Sequence, residues 1–372
     1  MTLRESTCGC PDGTSTAAPG DTAAATAPGV AAAAAVPGVA AAAAVPGVAA
    51  AAAAPRAHSG RSHLSRAWAE LLRLPALFSV PGDALTGAAA TGAPVNSRTL
   101  LAIASSLCLY EAGMALNDWA DRDIDAVERP HRPLPSGRIR PAAALTAAGA
   151  LTGAGLILAA RAGRPALAVA APLAATVWAY DLGLKHTPAG PLAMGTARGL
   201  DLLLGAAATA GSTRPALPSA ALLGTHTLAV TTVSRQEARG GSPLPPLAAL
   251  ATTGLLTRLV THRSAACARS RRQATAHARP GPRAPWHPGQ EPAALLTTAL
   301  AAAYAATTAR PYFHATLNPS PPLTQRAVGA GIRAMIPLQA ALTARSRGTA
   351  TALLIAALAP LGARFARKVS VT

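Results

Sequence analysis

The sequence predicts an all-α membrane protein, a multi-span transmembrane bundle of about nine helices around a central cavity. Of its 372 residues, 51% are hydrophobic and only 13% are charged, whereas soluble domains average about a quarter charged residues. Long uncharged runs alternate with charged or proline-rich junctions. A soluble helical bundle, the alternative fold, would need polar faces on its outer helices, and most of these runs have none.

Residues 1–60 are expected to form a disordered tail rich in alanine, proline and glycine. A Pro-Gly-Val unit followed by alanines recurs every nine residues, starting at Pro28, Pro37 and Pro46. Pro-Gly pairs favour turns, and the alanine runs are too short for stable isolated helices. Repeat slippage in the coding DNA explains this segment more simply than a function does.

Nine spans are expected after this tail, and a tenth is possible near the C-terminus. A helix needs roughly 20 residues to cross a bilayer, and shorter runs can extend when flanking polar side chains reach the interface. The ten ranges are 73–90, 100–116, 141–160, 165–180, 192–210, 215–233, 242–257, 292–309, 331–343 and 348–363. They are rich in alanine, glycine, serine and threonine, which allow close packing of transmembrane helices.

The loop after the second span is strongly basic, and this charge predicts its orientation. Its basic residues are Arg129, His131, Arg132, Arg138 and Arg140. The positive-inside rule places such a loop in the cytoplasm, which predicts a multi-pass cell-membrane protein. Alternation places Lys185 and Arg235 on the same side. The basic segment 263–291 falls on the outer side, so it is expected to be a loop or insertion, or the preceding span does not cross fully.

A net charge of +18, from 33 basic and 15 acidic residues, raises the possibility of a nucleic-acid partner. Aromatic residues make up only 3% of the chain, which leaves little for base stacking. The long uncharged runs also fit no nucleic-acid module. The expected partner is therefore the lipid bilayer and not nucleic acid.

A cluster of acidic residues after the second span is the sharpest local signal. Five of the chain's 15 acidic residues lie within eleven positions: Asp118, Asp121, Asp123, Asp125 and Glu128. On a continuous helix, four oxygen-bearing side chains would share an arc of about 100°: Asn117, Asp118, Asp121 and Asp125. Asp123 would point the opposite way. Converging carboxylates need a cation, and hard oxygen ligands suit Mg²⁺. The alternative is a solvated helix end neutralised by nearby arginines.

The segment 117–125 resembles NDxxDxxxD, the first aspartate-rich motif of the UbiA superfamily of intramembrane prenyltransferases, which includes enzymes of the 4-hydroxybenzoate polyprenyltransferase type. The following stretch, 129–137, is similar to the family's RPxxSG-like sequence. The resemblance covers approximately residues 66–370. It implies a Mg²⁺-dependent transferase that moves an isoprenoid group from a prenyl diphosphate to an aromatic or lipidic acceptor, at a site facing the cytoplasm.

The resemblance also implies roles for individual residues. The implied catalytic residues are Asp118, Asp121, Asp125 and Lys185. The implied substrate-binding residues are Asn117, Arg132, Tyr180, Asp181, Arg198 and Arg235. The implied metal ligands are Asn117, Asp118, Asp121, Asp125 and Glu237.

The chain departs from the family pattern after the sixth span. The second aspartate motif is absent, and Glu237 is the only carboxylate there, with Arg235 and Arg239 beside it. This pattern resembles a branch of the superfamily with a degenerate second motif. Either Glu237 alone holds a second Mg²⁺, or the arginines bind phosphate directly. A terpene cyclase and a non-catalytic transport or scaffold protein on the same fold remain alternatives.

Three other polar residues lie within expected spans. Asp83 and Asp201 are isolated acids that could accept a proton from an acceptor or stabilise a polar helix contact. Arg198 lies one helical turn from Asp201, so the two are expected to pair. His226 is expected to be a packed interior residue and not a ligand.

Overall fold

The fold is known from a computed structural model, which describes residues 58–73, 78–237, 240–277, 290–346 and 348–369. The expected tail, residues 1–60, lies almost wholly outside these ranges. Within them the regular structure is helical and no strand is present, so the predicted all-α class is confirmed. The described helices belong to one compact unit, residues 55–372.

Twelve α-helices make up the described part of the chain. They are α1 (His58–Leu71), α2 (Val80–Thr91), α3 (Ser97–Ala120), α4 (Arg122–Glu128), α5 (Pro141–Ala162), α6 (Arg164–Leu182), α7 (Gly190–Ala210), α8 (Leu217–Ser234), α9 (Leu244–His277), α10 (Gln290–Leu317), α11 (Pro321–Arg345) and α12 (Thr349–Val369). Short 3₁₀ turns, Leu184–His186 and Arg214–Ala216, precede α7 and α8.

Each expected span is helical over most of its length, and six helices of the described part are long and apolar enough to cross a membrane. They are Ser97–Ala120, Pro141–Ala162, Arg164–Leu182, Arg214–Ser234, Pro292–Leu317 and Pro321–Arg345. A shorter apolar helix covers Thr349–Gly362. Helix α2 has only 12 residues, and α7 contains two charged residues. These two helices pack against each other, so their polar groups meet protein and not lipid.

The first half of the basic segment 263–291 is helical, whereas a loop or insertion was expected for the segment. Helix α9 continues to His277, so the first half of this segment prolongs the preceding helix. Residues 278–289 lie outside the described residues. At about 1.5 Å per residue, a helix of this length is longer than the hydrocarbon core of a bilayer is thick.

Small residues bring the central helices into close contact, as the composition of the spans predicts. At the crossing of α7 and α8, a Cβ added to Gly195 would lie 2.7 Å from the carbonyl oxygen of Gly224. At the crossing of α2 and α7, a Cβ added to Gly205 would overlap the backbone of Ala84. Side chains larger than hydrogen therefore cannot be placed at these two crossings without moving a helix.

Buried polar residues join the central helices. Arg198 on α7 forms an ion pair with Asp83 on α2, and Gln339 on α11 donates a hydrogen bond of 2.7 Å to the other carboxylate oxygen of Asp83. Ser106 on α3 donates to Asp201 on α7. Arg198 thus forms its ion pair with Asp83 on another helix, while Asp201, one turn away, accepts a hydrogen bond from Ser106.

Candidate functional site

The acidic motif does not lie on one continuous helix. Helix α3 ends at Ala120, Asp121 adopts a non-helical conformation (φ −91°, ψ 4°), and α4 begins at Arg122. Aspartate favours helix termini over helix interiors, and Asp123 and Asp125 lie in the first turn of α4, where negative charge is favourable. Backbone hydrogen bonds from Asp121 N to Asn117 O and from Asp125 N to Asp121 O cross the junction, so the motif keeps its helical phase, in which Asn117 lies beside Asp121 and Asp118 beside Asp125.

The first group, Asp118 and Asp125, is not among the residues that line the cavity and is paired with arginines. Asp118 and Asp125 are buried. Arg132 Nη1 lies 2.6 Å from Asp125 Oδ2 and 3.6 Å from Asp118 Oδ1. Arg73, at the end of α1, donates a hydrogen bond of 2.8 Å to Asp118, and Arg129 lies 3.3 Å from Asp125. These contacts join α1, α3, α4 and the following loop.

The second group, Asn117 and Asp121, lines a cavity of about 400 Å³ at one end of the bundle. Residues from α1, α3, α6, α7, α8 and their connections form its wall. They are Arg73, Asn117, Asp121, Arg129, Arg132, Tyr180, Lys185, His186, Gly190, Pro191, Thr231, Ser234, Arg235 and Glu237. Seven of these fourteen were expected site residues: Asn117, Arg132, Asp121, Tyr180, Lys185, Arg235 and Glu237.

Lys185 reaches the motif from the 3₁₀ turn after α6. Its Nζ lies 2.7 Å from Asp121 Oδ1, and the lysine side chain is only 8% exposed. The two atoms form an ion pair without hydrogen-bond geometry, and both are buried without a hydrogen-bond partner in the described part of the chain. Each atom is balanced by the opposite charge 2.7 Å away, and the cavity beside them has room for a polar ligand to contact both.

Asn117 is oriented by a neighbour behind the cavity. Its amide nitrogen donates a hydrogen bond of 3.1 Å to Asp181 Oδ1 on α6, which leaves the amide oxygen as a possible ligand. Asp181 is buried and does not line the cavity. Its position therefore supports orientation of Asn117 and not direct contact with a molecule in the cavity.

The end of α8 forms the opposite wall. Arg235 donates a hydrogen bond to the carbonyl oxygen of Thr187, which ties α8 to the connection between α6 and α7. Glu237 follows two residues later, and partial burial raises the pKa of its carboxyl above the ordinary value, while the nearby Arg129 acts in the opposite direction. Glu237 and Arg235 therefore place one anionic and one cationic group across from the motif.

Cations outnumber anions on the cavity wall. Five lining residues are permanently or normally positive: Arg73, Arg129, Arg132, Lys185 and Arg235. Asp121 and Glu237 are the lining carboxylates. Groups of this kind bind a multiply charged anion such as a diphosphate, arginine in bidentate geometry and lysine as a point charge.

The oxygen donors of the cavity are compatible with the expected Mg²⁺. In the described ranges, no three His, Cys, Asp or Glu side chains lie together as a ready metal site. Mg²⁺ usually keeps several waters and takes one or two carboxylates plus substrate phosphates. Asp121 has a buried oxygen without a hydrogen-bond partner in the described part, and Asn117 and Glu237 add oxygen donors to the same cavity. These residues fit a Mg²⁺ that arrives with a phosphate ligand.

Other expected site residues lie elsewhere. Arg198 is absent from the cavity wall, because it pairs with Asp83 in the bundle interior. The Asp123 side chain is 85% exposed, which confirms that it points away from the motif face. His226 is buried between Tyr304 and the carbonyl oxygen of Gly331, which confirms the expected interior role.

Sequence reasoning missed two cavity arginines. In the sequence, Arg73 was only the first residue of the expected span 73–90. Nothing in its local sequence connects it with Asp118, 45 positions away. Its backbone is left-handed (φ 48°), an uncommon conformation for a residue with a side chain. Arg129 belongs to the motif's tail, and its position four residues after Asp125 was the available signal.

The chain is similar to known proteins over part of its length. Residues 77–268, just over half of the chain, match the model of the UbiA prenyltransferase family. Digeranylgeranylglyceryl phosphate synthase of Methanothrix thermoacetophila is 36% identical over 147 residues, which cover 38% of this chain and 55% of that protein. Chloroplastic chlorophyll synthase of Oryza sativa subsp. japonica is 43% identical over 68 residues, which cover 17% of this chain and 18% of that protein.

A solved structure shares the fold. The UbiA homolog from Archaeoglobus fulgidus bound to GPP and Mg²⁺ superposes with a TM-score of 0.52 and 16% identity, and covers 74% of this chain and 99% of that chain. At this identity the likeness concerns the fold alone. The chain spans about half the length of the digeranylgeranylglyceryl phosphate synthases that it matches.

Proposed function

The chain belongs to the UbiA prenyltransferase family, and from this premise we propose that it transfers an isoprenoid group from a prenyl diphosphate to an aromatic or lipidic acceptor. One observation supports the proposal most directly. Asp121 Oδ1 and Lys185 Nζ lie buried together in a cavity whose wall has more cations than anions. A diphosphate with a bound Mg²⁺ offers an oxygen to the lysine and a cation to the carboxylate.

The basic residues of the wall would bind the diphosphate. Lys185, Arg132 and Arg235 come from three different parts of the chain and face the same cavity. Arg73 and Arg129 add two further guanidinium groups. Positive charge fixed around the leaving diphosphate stabilises the negative charge that develops as the allylic C–O bond breaks, because the groups are already oriented before the reaction.

Asn117, Asp121 and Glu237 are the residues that would hold Mg²⁺. The bound ion would supply Lewis-acid neutralisation of the phosphate oxygens. Asp118 and Asp125 would not contact the metal. They would hold Arg73 and Arg132 in place, at distances of 2.8 and 2.6 Å. We therefore assign these two aspartates to positioning and Asp121 to direct contact with the metal.

The apolar helices would keep water away from the allylic cation. Tyr180 lines the cavity wall beside Lys185, where its hydroxyl could donate a hydrogen bond to phosphate. The isoprenoid chain would lie among the membrane-spanning helices, because a hydrocarbon chain gains free energy on leaving water. Exclusion of water protects a carbocation from hydrolysis.

We propose that the domain covers residues 66–370 and that the cavity opens to the cytoplasm. The cavity end of the bundle includes the loop with Arg138 and Arg140, and basic loops favour the cytoplasmic side. Six apolar helices support a multi-pass membrane protein. Labelling of cysteines introduced into this loop, in intact cells and in inside-out vesicles, would test the orientation.

The central experiment compares two aspartates two residues apart. We expect Asp121→Asn to lower Mg²⁺-dependent diphosphate release by at least about 100-fold, because it removes a preorganised charge at the reacting phosphate. Asp123→Asn, at an exposed side chain, should stay within about twofold of the wild type. The purified protein is incubated with a panel of prenyl diphosphates, with Mg²⁺ or with a chelator, and diphosphate release is measured.

The same assay separates the remaining functions. Release that depends on an added aromatic or lipidic acceptor supports a transferase, while release with a cyclised hydrocarbon product and no acceptor identifies a terpene cyclase. Tight binding of the prenyl diphosphate without Mg²⁺ and without turnover would instead indicate a non-catalytic protein. Equal activity of the two asparagine variants would contradict the assignment of Asp121.

A further inference from the structure

A second cavity lies between α10 and α11, apart from the proposed active site. Its volume is about 270 Å³, and its wall consists of Arg310, Pro311, His314, Leu323 and Arg326. None of these residues lines the cavity around Asp121. Two arginines and a histidine from two packed helices therefore face one small space with an apolar base.

This cavity is at the same end of the bundle as the proposed active site. Arg310 and His314 lie in the last two turns of α10, and Arg326 lies in the second turn of α11. The connection between these helices is joined to the segment after α8 by a hydrogen bond of 3.0 Å, in which Gly241 N donates to Pro319 O. Glu237 is only four residues before Gly241.

The positive charges in this cavity have no anionic partner in the described part of the chain. The described ion pairs include none from Arg310, His314 or Arg326. Across α10 and α11 the only acidic residue is Glu291, at the opposite end of α10. The side chains of Arg310, His314 and Arg326 are all exposed, so they are open to an anion from outside the chain.

The surroundings of this cavity are typical of a lipid contact. Phe313 and Leu317, on the same two turns of α10, are 51% and 69% exposed, and both helices are apolar enough to cross a membrane. Arg310 lies seven residues before the end of α10, or roughly 10 Å along the helix. A guanidinium at this depth reaches the headgroup region when its side chain extends towards the interface.

We propose that the cavity between α10 and α11 binds the phosphate headgroup of an anionic phospholipid. Arg310 and Arg326 would contact the phosphate from opposite sides, and His314 would add a hydrogen bond. Pro311 and Leu323 would contact the glycerol backbone, while the acyl chains follow the exposed apolar surface beside Phe313. Basic pockets between membrane helices near the interface recognise anionic headgroups in this way.

The test measures which lipid stays bound. The full-length protein is purified from detergent supplemented with equal amounts of phosphatidylglycerol and phosphatidylcholine, and bound lipid is counted by native mass spectrometry. We expect about a tenfold preference for phosphatidylglycerol in the wild type, and its loss in Arg310→Gln/Arg326→Gln. The matched control is Arg98→Gln/Arg161→Gln, which removes two exposed arginines from the packed helices α3 and α5 and should keep the preference.

Two further measurements address misfolding of the glutamine variant and binding of free phosphate in place of lipid. Arg310→Lys/Arg326→Lys keeps both charges and should retain most of the preference for phosphatidylglycerol. This variant tests the proposal even where the glutamine variant folds poorly. Inorganic phosphate at millimolar concentration should not displace the lipid; displacement would assign the cavity to free phosphate and overturn the proposal. Equal retention of both lipids by the wild type, or an unchanged preference in the glutamine variant, would also overturn it. Diphosphate release by that variant should stay normal, because the two cavities share no residue.

Discussion

Arg132 contacts two carboxylates that come from different helices. Its guanidinium lies 2.6 Å from Asp125 on α4 and 3.6 Å from Asp118 on α3, and both aspartates are buried. Removal of one partner from a buried ion pair leaves an uncompensated charge, which costs more than the pair gains. Arg132 therefore stabilises the fold as well as the cavity.

We expect Arg132→Gln to lower the free energy of unfolding by about 2 kcal/mol and to weaken binding of inorganic pyrophosphate. Arg138→Gln is the control, because Arg138 pairs at 2.7 Å with the partly exposed Glu70, and such pairs contribute less than about 1 kcal/mol. Thermal unfolding in one detergent and calorimetric pyrophosphate binding measure both effects. Equal destabilisation by the two variants would show that Arg132 is an ordinary surface residue.

Individual residues differ in how far the sequence predicts them. The outward direction of Asp123 follows from its helical phase relative to Asp121, and the structure confirms it. The partner of Arg198 could not be predicted, because Asp83 lies 115 positions away and Asp201 is the nearer acid in sequence. Local periodicity describes one helix, whereas such contacts depend on how separate helices pack.

At the scale of elements, the crossing of α7 and α8 depends on two glycines. Gly195 and Gly224 approach so closely that a Cβ on either would lie within 2.8 Å of the other's carbonyl oxygen. This crossing positions Lys185 and Arg235, because α7 follows the 3₁₀ turn and α8 ends at the cavity. The high glycine and alanine content predicts close packing, but not which pair of helices meets.

We expect Gly195→Ala to destabilise the protein by about 1–3 kcal/mol, because the backbone oxygen cannot move without shifting α8. Gly153→Ala on α5 meets no atom within 4 Å and should be neutral or stabilising by up to about 1 kcal/mol through helix propensity. Thermal unfolding of the two variants in the same detergent compares them. A stabilised Gly195→Ala would contradict the close contact.

The motif at the junction of α3 and α4 shows how far helical periodicity predicts the site. The rule of about 100° per residue assumes an unbroken helix, and it places Asn117, Asp118, Asp121 and Asp125 on one face. Within that face it places Asn117 beside Asp121 and Asp118 beside Asp125, and the first pair lines the cavity while the second contacts Arg132. Lys185 and Arg73 come from distant parts of the chain, so their contacts with the motif do not follow from its periodicity.

At the scale of the whole molecule, the proposed function belongs to residues 55–372. All described helices and the whole cavity wall lie within this unit. We expect a variant that begins at Pro55 to insert into membranes and to release diphosphate within about twofold of the full-length rate, because it keeps every described site residue. Membrane fractionation and the prenyl diphosphate assay measure the two properties. Loss of activity with normal insertion would assign a role to the N-terminal repeats.

The helical architecture of the bundle was more predictable from the sequence than its individual contacts, because the thickness of the bilayer sets the length of the apolar runs. Six helices meet that requirement in the described ranges. Helices α2 and α7 are interior elements whose charged residues are satisfied by each other and by α11. Composition alone does not distinguish such interior helices from lipid-facing ones, which is one reason why the sequence predicted nine spans, with a tenth possible, where six described helices meet the criterion.

We expect the ion pairs behind and within the cavity to set the order in which ligands bind. Asp118, Asp121 and Asp125 each have a cationic partner within 2.8 Å, so the charges of these residues are close to balance. A divalent cation alone would compete with guanidinium and ammonium groups for the same oxygens, whereas a diphosphate attracts those groups and releases the carboxylates. Calorimetry should therefore detect weak Mg²⁺ binding alone and much tighter binding with pyrophosphate, and a chelator should leave the melting temperature of the empty protein unchanged.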